Sequence, residues 1–442
     1  MPFSSLDNLV QKALSKGADH AEAMVIEDKS MDISVRLQNI ESVEESVSKD
    51  LGLRVIVGSK QAIVSSSHIA DDTFDSLVDR ALDMARVSME DPYCVIADSD
   101  NLIKEIPAIE SFDDNTMSSE QLKQRALEAE QAALDINGIT NSDGADAGQG
   151  VFSYALVSSN GFKGQYRQSY FSNSVSVLAG KDTEMERDYD YAVKVFCADL
   201  PAPSEIGKAA AENTLRRLNP VKGKTGTLPV VFDPRVGVTL LRAFARSING
   251  RSVARKSSFL QDKLGEQLFS KNIQIIDDPR MVKGLASRPF DAEGLAAERL
   301  DLVEDGKLQT WIMDLASAKQ LGLESSGRAS RSTSSPPSPT TTNLYIAAGE
   351  ASVDELIHDI KEGFYVTETM GMGVNTVTGE YSQGASGFWI ENGKIAFPVN
   401  EISIGGQMLD MMINMQPAND LEFKYSTNVP TLRIDDMTVA GS

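Results

Sequence analysis

The chain has 442 residues, with 42 Lys plus Arg against 64 Asp plus Glu, a formal net charge of −22 and a pI near 4.6. At about 100–200 residues per domain the length makes two or three domains, and 41% hydrophobic with 24% charged residues excludes wholesale disorder and fibrous classes. No apolar run approaches the ~20 residues of a bilayer helix, so no membrane is expected, the acidic balance makes nucleic acid an unlikely partner, and Cys94 and Cys197 make no disulfide framework, which points to a reducing cytoplasm.

The N-terminal segment lacks the charged, apolar and small-residue succession of a secretory signal. Instead Leu6, Leu9, Val10, Ala13 and Leu14 recur along one helical face. Met31, Ile33, Val35 and Leu37 alternate as a strand does, and the run 51–67 reads as two strands joined at 58–61. A second helix is expected over 72–87, with Phe74, Leu77, Val78, Ala81, Leu82 and Ala85 inward. A third begins after Ser118, where Gln121 completes a capping box. Strands follow over 154–158, 164–177 and 189–196, then a helix over 205–218. Asn219, Pro220 and the stretch VKGKTGT mark a domain boundary, dividing the chain into 1–222 and 223–442.

In the second half Asp305-Gly306 and Asn392-Gly393 supply the positive φ angles of two-residue turns, which predicts two hairpins. Short helices are expected over 316–321, 353–361 and 407–414. Residues 325–343 hold eleven Ser or Thr among nineteen, with Pro336, Pro337 and Pro339, and read as a mobile surface loop with nothing to bury. The fold class is α+β, with two domains of large, mainly antiparallel or mixed sheets and flanking helices.

Catalytic templates are scarce. His20, His68 and His358 are the only histidines, and none has another within helical reach, so no HExxH zinc helix can form. Asp188 and Asp190 alternate on one strand face, where a solvated acidic strand is favoured over a metal-dependent hydrolase site. Gly223-Lys224-Thr225 lacks the first P-loop glycine, replaced by Leu218. Ser386 sits in a broken G-x-S-x-G, and Ser46 to Lys49 match S-x-x-K only in an alternating strand. Gly371, Gly373, Gly384 and Gly387, with Ser386, read as a place where backbones or an extended ligand approach closely. Between Pro234 and Gln261 there is no acid but six bases, and these are expected to pair with carboxylates elsewhere. Strand-like LPVVF leads into Asp233 as N-cap, Pro234 at N1 and a helix over 234–249, on which Arg242 and Arg246 share a face.

The segments GVTLLRAFARSINGRSVARKSSFLQDKLGE, IIDDPRMVKGLASRPFDAEG, TNLYIAAGE and VTETMGMGVNTVTGEYSQGASGFWIENGKIAFPVNEISI resemble the TldD/PmbA family, also called TldD/TldE and "modulator of DNA gyrase". The resemblance implies a cytoplasmic dimeric zinc peptidase in which a TldD-type subunit carries HExxxH on this helix. Here those histidine, glutamate and histidine positions fall on Leu241, Arg242 and Arg246, and no cysteine follows Cys197. The resemblance therefore points to the PmbA/TldE branch: a chain with no metal or cofactor of its own, pairing with itself or with a zinc-bearing TldD-type subunit to handle extended peptides. A stand-alone scaffold linked to DNA gyrase is the alternative. Arg242 and Arg246 would then either fill the vacated site with internal salt bridges or meet carboxylates of a peptide or partner.

Overall fold

Residues 3–441 are described by the structure, a computed structural model. Two helices, α1 (Phe3–Ser15) and α2 (Phe74–Val87), bury every residue their periodicity picked except Leu14, which stays partly exposed. The helix α3 (Ser119–Leu134) opens on the expected capping box of Ser118 and Gln121, and α4 spans Pro203–Arg216. Six strands, β1 (His20–Arg36), β2 (Asn39–Val57), β3 (Lys60–Ser66), β4 (Ile139–Ser158), β5 (Lys163–Ala179) and β6 (Glu186–Lys194), form one antiparallel sheet in the order β3-β2-β1-β4-β5-β6.

One face of this sheet is covered by helices: α1 and α2 close a core over β1 to β3, and α3 and α4 close a second over β1, β4 and β5. On the opposite face Met24, Tyr154, Leu156 and Phe162 pack around Phe290 from the second half. The rings of Tyr154, Tyr166 and Phe162 all lie within 6.2 Å of that of Phe290. This apolar seam joins the two halves.

The second half opens with β7 (Val221–Lys222) and β8 (Gly226–Phe232), and continues into α5 (Pro234–Ser247) and α6 (Gly250–Ala254). A seven-stranded mixed sheet contains β7, β8 and the strands Glu362–Val374, Glu380–Glu391, Lys394–Gln407, Met415–Pro417 and Leu432–Gly441. Because Leu432–Gly441 pairs with both β8 and Lys394–Gln407, five of these strands close into a ring. Its interior holds Phe232, Phe364, Trp389 and Ile434, each 1% exposed or less. Both expected hairpins form, with φ near 50° and 75° at Asp305-Gly306 and at Asn392-Gly393.

Two expectations are corrected. The helix expected over 234–249 ends at Ser247, and Asn249 begins a new one: its side chain caps α6 by accepting from the Arg251 amide at 3.0 Å. The segment 325–343, expected to be a mobile surface loop, is instead a strap pinned by buried charges. Arg328, 1% exposed, donates through Nε to Asp277 at 2.5 Å, and Asp277 also accepts from the Thr342 amide and hydroxyl. Further along, Arg331 reaches the six-stranded sheet and donates to Glu22 at 2.7 Å, on the oxygen that also takes Arg54 at 2.9 Å. Glu22 and Arg54 are direct cross-strand neighbours on β1 and β2. Any side chain at Gly52 would collide with the backbone of Thr333, so the glycine lets the strap lie against β2. Burial of unpaired charge is costly, and these polar partners are what allow a Ser- and Pro-rich segment to run inside.

Candidate functional site

The site is organised by α5. β8 delivers the chain to Asp233, which accepts from the Arg235 amide at 2.9 Å as N-cap and from the hydroxyl of Tyr365, on the parallel neighbour Glu362–Val374, at 3.1 Å. Pro234 at the first helical position needs no amide partner. The inward face buries Val236, Leu240, Leu241 and Phe244, with the Phe244 ring edge-on to Phe269 at 5.3 Å. What remains for the outward row is Arg235, Thr239, Arg242 and Arg246.

Three cavities lie along this row. The first, about 410 Å³, sits between the halves and is lined by Asp188, Asp190, Arg235, Asp420 and Tyr425 among others. A second of about 280 Å³ adjoins it, with Arg217, Thr239 and Glu368 in its wall. The third, about 340 Å³, lies between Arg242, Arg246 and Asn249 on one side and Pro339, Thr340 and Thr341 of the strap on the other. The strap that looked featureless in sequence is therefore one wall of the groove.

Asp188 and Asp190 both face the first cavity, as their alternation requires. The expected solvated acidic strand is corrected for Asp188, which is 4% exposed and gripped by Arg235 at 2.9 Å and Arg217 at 3.5 Å. Burial raises the Asp190 carboxyl above its usual range, opposed only in part by the Tyr191 amide, Lys424 and Arg235. The basic island divides. Arg235 holds Asp188 and Arg251 holds Asp314 at 2.8 Å, as expected of pairing with distant carboxylates. Arg242 and Arg246 are exposed and make no ion pair or hydrogen bond among the described residues, so the internal salt bridges considered for them are absent.

Leu241 points away from both arginines, 2% exposed in the core of the second half. A leucine and two guanidinium groups offer no lone pair to Zn²⁺, so these residues do not fit the zinc a metallopeptidase helix would carry. Among the described residues no group of three or more His, Cys, Asp or Glu is arranged to hold a metal ion. His20, His68 and His358 are all exposed, and Cys94 and Cys197 are free thiols.

The glycine series separates into two kinds. Gly371 and Gly373, at φ 99° and 70°, form an irregularity near the end of Glu362–Val374 that leaves Met372 98% exposed. Gly384, Ser386 and Gly387 lie inside Glu380–Glu391, which is paired on both sides, so they offer no edge to which a peptide can add. A side chain at Gly387 would strike the Tyr365 carbonyl, and one at Gly384 would meet Met370 Cγ at 2.8 Å. Internal packing explains both, and Ser386 is 7% exposed.

Three family models match along the chain: PmbA/TldA metallopeptidase domain 1 over residues 21–85, the central domain over 112–218 and the C-terminal domain over 225–441. The chain belongs to the PmbA/TldD metallopeptidase family. Metalloprotease PmbA of Escherichia coli O157:H7 is 35% identical over 441 residues, spanning 99% of this chain and 96% of that protein. A PmbA homolog of Haemophilus influenzae is 36% identical, spanning 98% and 94%. Among solved structures, a Bacteroides thetaiotaomicron protein crystallised as a candidate modulator of DNA gyrase superposes with TM-score 0.91 at 25% identity, covering 100% of this chain and 99% of that one. TldE from Thermococcus kodakarensis shares the fold, with TM-score 0.85 at 18% identity and coverage of 99% and 100%.

Proposed function

We propose that this chain is the PmbA/TldE-type subunit of a two-chain metallopeptidase, binding peptides while a TldD-type partner supplies the zinc and the bond-breaking groups. What supports the reading is the helix α5, where Arg242 and Arg246, at the positions that the resemblance gives to a base and a ligand, face outward while Leu241 is turned into the core. General-base attack on a peptide carbonyl needs a group that accepts a proton, and a guanidinium does not. Haemophilus influenzae supports the pairing, because it holds both a PmbA homolog and a TldD homolog, the latter 29% identical to this chain over 296 residues and spanning 61% of each. No helix among the described residues is long and apolar enough to cross a membrane; work in the cytoplasm, where Cys94 and Cys197 would stay reduced, belongs to the same reading.

The test is native co-purification followed by metal analysis and peptide digestion. The expected result is a complex with a second, HExxxH-containing chain, zinc tracking that chain, and cleavage only by the pair. One tightly held zinc per purified chain, with peptide cleavage by this chain alone, overturns the assignment.

A further inference from the structure

We propose that the groove between α5 and the strap is a carboxylate-binding site, where Arg242 and Arg246 take acidic side chains of an extended peptide. The substrate class rests on the peptide-handling role proposed above; the anion preference rests on the groove itself.

Two guanidinium groups one helical turn apart repel each other unless an anion lies between them. With 64 acidic residues in the chain, an internal carboxylate is the ordinary partner, and the flanking Arg235 and Arg251 each have one. Arg242 and Arg246 have none among the described residues. The rest of the lining adds donors: Thr340 and Thr341 of the strap and Thr427 line the groove, and none of their hydroxyls makes a hydrogen bond among the described residues. Ala245, Ile312 and Leu344 give an apolar floor on which side-chain methylenes can rest. The strap wall is held before any ligand arrives. Arg328, Asp277 and Thr342 pin the strap from within, Arg251 donates to the Pro337 carbonyl, and Asn249 donates to the Pro339 carbonyl at 3.0 Å. Charge-assisted donors facing such a fixed wall favour a carboxylate over a neutral amide of the same shape. A cavity of about 340 Å³ admits one or two side chains, and the net charge of −22 repels a long phosphate polymer before it can reach the groove.

The experiment uses the full chain without a partner and two fluorescent peptides of equal length, one with Glu at several positions and one with Gln at the same positions. Anisotropy titration should show the Glu peptide binding at least about tenfold tighter at ~50 mM salt, with the preference shrinking at ~200 mM. Arg242→Ala with Arg246→Ala should bring the two peptides to within about twofold, whereas the double Lys variant should keep part of the preference because a point charge remains. Both side chains are exposed, so an unchanged melting temperature verifies that the variants are folded. Equal binding of the two peptides by the wild type, or an undiminished preference in the double Ala variant, overturns the site. Inorganic phosphate as competitor separates the anion sources: tight phosphate binding without any Glu preference refutes the peptide assignment. Because no partner is present, failure here leaves the two-chain reading intact. A chain that proved catalytic alone would leave the Glu preference standing.

Discussion

Consider Glu22→Gln, which removes one negative charge at the point where the strap meets the six-stranded sheet. Glu22 is 3% exposed, and one of its oxygens accepts from Arg54 at 2.9 Å and Arg331 at 2.7 Å. Two nitrogens on one oxygen lie no more than about 5.6 Å apart, so their repulsion at an effective dielectric near 20 is about 3 kcal/mol. Glu22 offsets that repulsion; a glutamine carbonyl in the same place still accepts from both guanidiniums but carries no charge to offset it. Adding the lost charged hydrogen bonds places the expected destabilisation at about 3–5 kcal/mol. Arg331→Met should cost less, about 1–3 kcal/mol, since it leaves the neutral pair of Glu22 and Arg54 and replaces a buried stem with an apolar one. Urea and thermal unfolding of both variants measure the order. Burial alone would raise the Glu22 carboxyl, but Arg331 and Arg54 together outweigh it and hold it below its ordinary value. A lowered carboxyl contributes stability above its unfolded pKa, about 4.3, and loses that contribution as pH falls through the folded value, so the gap between wild type and Glu22→Gln should close in acid. A loss under about 1 kcal/mol for Glu22→Gln, or a larger loss for Arg331→Met, would refute the reasoning.

Glu293 has the opposite sign: burial, then Asp291 and Asp314, push its carboxyl well above the usual range. Stability from such a group is present below the unfolded pKa and lost as pH rises, so Glu293→Gln, which keeps an acceptor for the Leu315 amide, should gain on the wild type by up to about 1.4 kcal/mol per pH unit above pH ~5. A pH-independent difference in melting temperature contradicts this. The triple variant Leu241→His, Arg242→Glu and Arg246→His should hold far less than one zinc and cleave no peptide, because position 241 faces the core and a third ligand is missing; metal analysis and a peptidase assay decide. Its buried imidazole should also destabilise the fold by about 2–4 kcal/mol. DNA binding, measured by gel shift, should be weak and vanish near ~0.2 M salt, since only part of the basic island is free of carboxylates. Retention at that salt contradicts it.

Local chemistry made much of this architecture legible. A capping box, an Asn-Gly turn or a 3.6-residue period is decided within a few residues, so Ser118, Asn392-Gly393 and the inward face of α2 read correctly from sequence alone. The start of β1 did not. Residues Ala21 to Val25 are buried between the helices on one face and the second half on the other, which erases the alternation by which a half-exposed strand is recognised. The outer part of β2 fails for the opposite reason: residues 43–48 are exposed on both faces, so nothing selects an apolar side.

The strap fails for a third reason, and it is the one that bears on function. Its polarity is real, but the partners that make burial tolerable are remote: Asp277 is 51 residues from Arg328, and Glu22 is 309 from Arg331. A residue count sees serines, prolines and two arginines, which is also what an exposed linker contains. The distinguishing signal was an ionisable residue placed inside apolar runs elsewhere, Glu22 between alanines and Arg54 within LGLRVIV, each implying an unseen partner of opposite charge. Helical spacing located Arg242 and Arg246 on one face but said nothing of what stood opposite. Once the buried ion pairs fix the strap, that face acquires a wall of hydroxyls and becomes a groove rather than a surface patch. The anion preference proposed for it therefore depends on Asp277 and Arg328 as much as on the arginines that would touch the ligand.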